Sequence, residues 1–362
     1  MATKFILVAF IVFSALSSSS QKKDISIIAY YTGGEDADSF AVEKLTHIIF
    51  SFCHLKGNKL SVDDAKDSAM IQKLVSFKSR NPGLKVMLSL GGWGGCASCS
   101  EVFATDQGRK EFAKSVKVIN DYFKTDGLDL DWEYPAIEGY PGHRYVPEDK
   151  KNFTALVKEI RKKIGWKNEL SFAAGGFKSF IDSSIEWQPV MKEMNRVNLM
   201  SYDLVNGYSK ITGHHTPLYS TEVNTESVAS GVERLIAKGV EKNKIAIGAA
   251  FYGRMWENVN DTLNGLYQAG KFVRGVPRKN FETRLSADSG FVYHWDTTAH
   301  APWRYNASKK LFITFDDERS IAEKTKFVID KELGGIMFWE LGEDLYKDGL
   351  LDAIYKTKNN SQ

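Results

Sequence analysis

Eight short apolar runs, each long enough for a β-strand, recur along this chain of 362 residues. They are Ile25–Tyr31, Leu45–Phe52, Leu84–Leu90, Gly127–Glu133, Leu170–Ala174, Val197–Tyr202, Ile245–Phe251 and Gly335–Trp339. Helical spacing fills several of the gaps, as at Phe112, Val116, Ile119 and Phe123. Alternating strands and helices predict a parallel sheet, and eight such strands close a barrel. We therefore predict an α/β fold, a (β/α)8 TIM barrel.

The gap before the eighth run is longer than one helix needs. Residues 254–305 are rich in Gly, Trp, Tyr and Phe and carry few helical signals, and a barrel helix is predicted only near Glu318–Glu332. We predict a small α+β insertion at 254–305, with the barrel formed by 21–253 and 306–362. Trp256, Trp295 and Trp303 would either wall a cleft or fill the core of this insertion.

The N-terminus is typical of a cleavable signal peptide. Lys4 precedes an apolar stretch from Phe5 to Leu16, which is too short to span a bilayer, and four serines follow. We assign residues 1–20 to this signal and predict a secreted or periplasmic protein without a membrane anchor. The net charge of +3 and the lack of a basic run predict no nucleic-acid partner.

Three cysteines are present, and two of them lie close together. Cys96 and Cys99 could close a small disulfide loop in an oxidising compartment. They could also form half of a zinc site, but no second pair or nearby histidine completes one, so we predict no metal. Cys53 lies in an apolar run and is predicted to be a buried thiol.

Three acids stand two residues apart in the fourth run, Asp126-Gly-Leu-Asp129-Leu-Asp131-Trp-Glu133-Tyr-Pro135. Side chains of a strand alternate between faces, so Asp129, Asp131 and Glu133 are predicted to share one face. An exposed strand edge would explain the acids alone. The apolar residues between them indicate instead a strand covered on both sides, where neighbouring carboxyl groups raise one another's pKa. A carboxylic acid that stays protonated near neutral pH suits the protonation of a leaving-group oxygen.

With this motif on the fourth strand, the chain resembles glycoside hydrolase family 18, and within it the chitinases. The resemblance covers nearly all of the mature sequence. Further matching segments are Ser89-Leu-Gly-Gly-Trp93, Met200-Ser-Tyr202-Asp203, Phe251-Tyr-Gly-Arg254 and Gly335-Ile-Met-Phe-Trp339. The family is a substrate-assisted exception to the scheme with two catalytic carboxylates.

The resemblance implies four catalytic residues. Glu133 would be the general acid and then the base, and Asp131 would turn from Asp129 to hold the N-acetyl group of the sugar. Tyr202 would donate a hydrogen bond to the acetamide oxygen. Tyr30 and Ser89 resemble the pair that hydrogen-bonds Asp129.

The resemblance also implies a set of substrate contacts. Trp339 would be the floor under the sugar, or else plain core filling, and Asp203 and Arg254 would bind sugar hydroxyls or only pair with each other. Trp93 and Tyr208 would stack on the leaving-group side. The predicted substrate-binding residues are Tyr30, Phe52, Ser89, Trp93, Met200, Asp203, Tyr208, Tyr252, Arg254 and Trp339.

The sequence therefore predicts a monomeric secreted chitinase that needs no cofactor and cleaves β-1,4 links of chitin or chitooligosaccharides. One alternative is a non-catalytic chitin-binding lectin. The presence of Glu133 argues for an enzyme, since a lectin with this barrel would have lost its acid. Another alternative is an endo-β-N-acetylglucosaminidase acting on N-glycans. The insertion and the Trp132-bearing motif resemble those of chitinases and therefore favour a chitinase.

Overall fold

The computed structural model describes residues 24–361, so the predicted signal segment 1–20 lies outside the described residues. The strands are β1 Ser26–Tyr31, β2 His47–Lys56, β3 Lys59–Ser61, β4 Lys85–Gly91, β5 Gly127–Asp131, β6 Glu169–Gly175, β7 Arg196–Met200, β8 Ile245–Ala250, β9 Tyr252–Glu257, β10 Lys271–Pro277, β11 Val292–Asp296, β12 Ala301–Asn306, β13 Leu311–Thr314 and β14 Gly335–Trp339. The helices are α1 Ala65–Ser76, α2 Cys99–Phe103, α3 Asp106–Phe123, α4 Asp149–Ile164, α5 Lys178–Ser183, α6 Trp187–Met191, α7 Val228–Ala237, α8 Phe281–Arg284, α9 Glu318–Asp330 and α10 Leu350–Asn360.

Eight parallel strands close into a barrel, which confirms the predicted fold. Their order is β1, β14, β8, β7, β6, β5, β4, β2, and β2 pairs again with β1. Each predicted run overlaps one of these strands. Residues that alternate along the strands pack outward against the helices, and Leu128 and Leu130 of β5 are buried there.

The register of the barrel brings polar side chains to one level. Ser89 of β4 stands opposite Asp129 of β5, and Asp129 stands opposite Ser171 of β6. Neighbouring residues in parallel register point to the same face, so these three side chains all enter the barrel interior. In barrels of this type the active site lies at the carboxyl ends of the strands, and Asp131 follows Asp129 toward that end of β5.

A second, antiparallel sheet is inserted between β8 and α9. Its strand order is β10, β9, β13, β12, β11, and it runs from Tyr252 to Thr314, so the predicted range 254–305 lies within it. Trp256 and Trp303 are buried in an apolar cluster of this insertion. These two tryptophans therefore fill its core.

No helix within residues 24–361 is both long enough and apolar enough to cross a membrane.

Candidate active site

Strand β5 delivers the acids to the mouth of the barrel. Asp129 and Asp131 both point inward and are buried, whereas Trp132 packs outward against Phe103 and Phe153. The strand ends at Asp131, two residues earlier than the predicted run. Glu133 therefore stands two residues past the strand end rather than on the strand itself.

Asp129 is enclosed by hydrogen-bond donors from four other strands. The hydroxyl groups of Tyr30 and Ser89 donate to its Oδ2 at 3.0 and 2.9 Å. The Ser171 hydroxyl and the Asn198 amide donate to Oδ1 at 2.6 and 3.1 Å. Burial raises the pKa of Asp129, and the hydrogen bonds from the three hydroxyls oppose that rise. This carboxyl group is held firmly at the base of the site.

Asp131 and Glu133 have pKa values raised by their surroundings. Burial, followed by the charges of Glu133 and Asp129, raises the pKa of Asp131 well above its ordinary value. Burial also raises the pKa of Glu133 to about 7. Within the described residues, Oδ1 of Asp131 is a buried acceptor without a hydrogen-bond partner. A carboxyl group with a pKa of about 7 and a buried acceptor without a partner therefore lie close to each other.

Tyr202 lies just beyond strand β7, above Met337 in the barrel interior. Its hydroxyl is 3.9 Å from the Met337 sulfur, and its ring meets that of Tyr252 edge to face at 6.1 Å. Met200, two residues earlier, belongs to the same interior cluster. Tyr202 thus stands among the inward-facing side chains, as the sequence predicts.

Asp203 and Arg254 pair in the fork-to-fork geometry that suits a guanidinium and a carboxylate. Arg254 Nε donates to Asp203 Oδ1 at 2.7 Å, and its Nη2 donates to Oδ2. The buried His215 places Nδ1 3.5 Å from the same carboxylate. Burial raises the pKa of Asp203, but the nearby His215 and the hydrogen bonds from Arg254 outweigh burial and hold the pKa below its usual range. The predicted ion pair is present, and a sugar contact for it stays a prediction.

Three aromatic rings line one side of the mouth. Trp339, at the end of β14, stacks on Phe52 at 5.5 Å with an interplanar angle of 15°. Its ring centroid lies 5.9 Å from that of Tyr30. Trp339 remains partly exposed, so it does not only fill the core, and its contact with a sugar stays a prediction.

A second aromatic group surrounds Trp93. Trp93 is 47% exposed, and its ring centroid is 6.5 Å from that of Tyr134 and 6.4 Å from that of Tyr208. The loop that carries Trp93 is closed by a disulfide between Cys96 and Cys99. Cys53 is a buried free thiol, as predicted.

The structure brings the predicted residues to one end of the barrel. Sequence reasoning did not identify Ser171, Asn198 and His215. Ser171 and Asn198 are single polar residues at inward positions of apolar strands, and that pattern could have indicated them. The sequence carried no comparable signal for His215, because it follows the strand in an irregular loop. No group of three or more His, Cys, Asp or Glu among residues 24–361 is arranged to hold a metal ion.

Comparison with known proteins agrees with this geometry. Residues 26–344 match the model of glycosyl hydrolases family 18. The chain belongs to glycosyl hydrolase family 18. The motif around Glu133 and the closed barrel are therefore features of a family 18 protein, and the resemblance inferred from sequence is confirmed.

Several family 18 relatives can be compared over most of the chain. Chitinase A1 of Niallia circulans is 35% identical over 301 residues, which cover 76% of this chain but 43% of that protein. The chain thus spans less than half of that relative. Chitinase B of Serratia marcescens is 28% identical, with 86% of this chain and 76% of the relative covered. A solved family 18 N-acetylglucosaminidase of Paenibacillus barengoltzii is 34% identical, with a TM-score of 0.84 over 92% of this chain and 100% of that one.

Proposed function

We propose that this protein is a chitinase that hydrolyses β-1,4 links between N-acetylglucosamine units with retention of the anomeric configuration. The observation that carries the proposal is the juxtaposition of Glu133, whose pKa is raised to about 7, with the buried, unpaired Oδ1 of Asp131. The first can give a proton to a glycosidic oxygen. The second can accept a hydrogen bond from the N–H of an acetamide.

The proposed reaction uses these two groups in sequence. Glu133 protonates the leaving oxygen while the acetamide oxygen of the substrate attacks its own anomeric carbon, which forms an oxazolinium ion. Asp131 stabilises the positive charge of that ion. Glu133, now a carboxylate, takes a proton from the water that opens the ring, and a β-anomer is released. The attacking group is already in the substrate, so its effective concentration is high.

Several residues supply the binding that this reaction needs. The partly exposed Trp339 can lie under the reacting sugar, and Tyr202 can donate its hydroxyl proton to the acetamide oxygen. Met200, Tyr252 and the Asp203–Arg254 pair line the same region. One copy of the chain holds all of these residues, so the proposal needs no second subunit.

A product analysis tests the activity and its class. Incubation with a hexamer of N-acetylglucosamine should give dimers and trimers early in the reaction. Failure to cleave either this hexamer or a chromogenic chitobioside would contradict a chitinase and favour the lectin alternative. Release of glycans from a glycoprotein, with the hexamer untouched, would favour the endoglycosidase.

The same experiment tests a second candidate function, an exo-acting N-acetylglucosaminidase. The 34% identity to the family 18 N-acetylglucosaminidase of Paenibacillus barengoltzii, which is covered over its full length, favours this candidate. Monomers as the sole early product would identify it. Both candidate functions use Glu133 and Asp131. They differ in how many sugar units of the substrate the cleft admits.

We expect Tyr202→Phe to lower kcat by about 10-fold to 100-fold, because one hydrogen bond to a charge-developing group is lost. The ring stays, so its packing against Tyr252 is kept. The measurement is kcat and KM with the chromogenic chitobioside. An unchanged kcat would remove Tyr202 from the catalytic group.

We expect kcat/KM to fall as the pH rises through about 7. The pKa of Glu133 is raised to about 7, so its carboxyl group keeps the proton below that pH and loses it above. Since the proposed general acid works only when protonated, activity should be lost on the alkaline side. A kcat/KM profile that increases across this range would contradict the assignment.

Export remains part of the proposal. The N-terminal apolar segment supports it, and so does the Cys96–Cys99 bond, since disulfides persist mainly in oxidising compartments.

A further inference from the structure

The aromatic side chains of the mouth continue past Trp93 to a residue that the proposed function does not use. Phe52, which stacks on Trp339, also lies against the backbone of Gly92, where an added Cβ would stand 2.3 Å from its ring. Trp93 follows, and next to it lies Tyr140, with ring centroids 5.5 Å apart and planes at 67°. Phe52 and Tyr140 therefore both lie close to the backbone segment that carries Trp93.

Two glycines allow these two rings to approach the backbone beside Trp93. Gly92 and Gly94 flank Trp93, and both have positive φ, at 79° and 88°. A Cβ on Gly94 would stand 3.1 Å from the Tyr140 ring, so that ring rests directly on bare backbone. Trp93 therefore lies between two glycines, of which Gly92 contacts the Phe52 ring and Gly94 contacts the Tyr140 ring.

Hydrogen bonds fix the loop that carries Tyr140. Its backbone N–H donates to the carbonyl oxygen of Glu133 at 3.4 Å. Farther along the loop, Arg144 donates to the Ser100 hydroxyl at 2.6 Å, and Ser100 donates to Asp149 at 2.9 Å. Ser100 follows the disulfide loop of Trp93, so the two loops are tied to each other. The position of Tyr140 relative to the general acid is therefore built into the fold.

We infer that Tyr140 is a sugar-binding residue, and that its ligand is a pyranose of the N-acetylglucosamine chain on the leaving-group side of the cleaved bond. The inference rests on the proposed function. Tyr140 is 38% exposed, and its hydroxyl has no hydrogen-bond partner among residues 24–361. Because its ring stands nearly perpendicular to Trp93, the two form a corner. A sugar stacked on Trp93 would have the Tyr140 ring and hydroxyl at its edge.

Binding to an inactive variant tests this inference. In a Glu133→Gln background, we expect Tyr140→Ala to weaken the affinity for the N-acetylglucosamine hexamer about 10-fold by calorimetry. Tyr140→Phe keeps the ring and should weaken the affinity for the hexamer only slightly. Tyr145 lies in the same loop, is 45% exposed and makes no ring contact within the described chain, so Tyr145→Ala is the matched control and should bind as the parent does.

Turnover separates a binding role from a loop-shaping role. With Glu133 intact, Tyr140→Ala should lower kcat/KM for the hexamer and leave that for a chromogenic chitobioside within about 2-fold, since the latter lacks a sugar on the leaving side. Unchanged hexamer affinity, or equal losses on both substrates, would overturn the role of Tyr140 and leave the proposed function intact. Absence of hexamer binding by the Glu133→Gln parent would overturn both.

Discussion

Replacing Glu133 by Gln is expected to lower kcat for the hexamer by about 10³-fold or more, while the oligosaccharide still binds. General acid–base catalysis contributes about 10²- to 10⁴-fold, and Glu133 is proposed to act in both steps. The amide keeps the size and the hydrogen-bonding shape of the side chain but cannot release a proton. Turnover by mass spectrometry and affinity by calorimetry measure the two effects separately.

The leaving group adds a second readout to this prediction. A dinitrophenyl leaving group is weakly basic and needs little protonation, so Glu133→Gln should lose less activity on such a chitobioside than on the natural oligomer. Glu138, an exposed carboxylate of the following loop, gives the control Glu138→Gln, which should behave as the wild type. Near-normal hydrolysis of the hexamer by Glu133→Gln would refute the assignment of the acid.

Asp131→Asn is expected to lower kcat by about 10²- to 10³-fold, with a smaller effect on KM. The substitution removes the negative charge proposed to stabilise the oxazolinium ion, and loss of one such electrostatic contact has this magnitude. The acetamide can still meet a polar group of the same shape. An effect confined to KM would indicate that Asp131 binds the substrate without stabilising its transition state.

Thermal unfolding is the control for Asp131→Asn. The pKa of Asp131 is raised in the folded protein, so its ionisation at neutral pH disfavours the native state relative to the unfolded chain. Removing this ionisable group should leave the Tm equal or higher at neutral pH. A lower Tm would mean that the lost activity reflects damaged folding rather than missing charge.

The barrel could be predicted because its strands and helices alternate with clear periodicity. Alternation along β5 also placed Asp129 and Asp131 on the inner face. The strand ends at Asp131, two residues before Glu133, so alternation along β5 does not by itself explain why the charge of Glu133 lies close enough to act on Asp131. The position of Glu133 therefore depends on loop geometry, which residue spacing does not encode.

The surroundings of the acids were harder to predict for the same reason. The four donors to Asp129 come from four different strands, and only the register between strands aligns Ser171 and Asn198 with it. Tyr140 lies in an irregular loop after β5, and its approach to Trp93 depends on the bare backbone of Gly94. Such contacts are tertiary, so no local pattern in the sequence predicts them.

Partially deacetylated chitooligosaccharides provide the most direct test of substrate-assisted catalysis. The wild-type enzyme should cut only where the sugar that becomes the new reducing end carries its N-acetyl group, because that group is the proposed nucleophile. Mass-spectrometric sequencing of the products should therefore find N-acetylglucosamine at every new reducing end. Glucosamine at those ends, formed at a comparable rate, would contradict the mechanism.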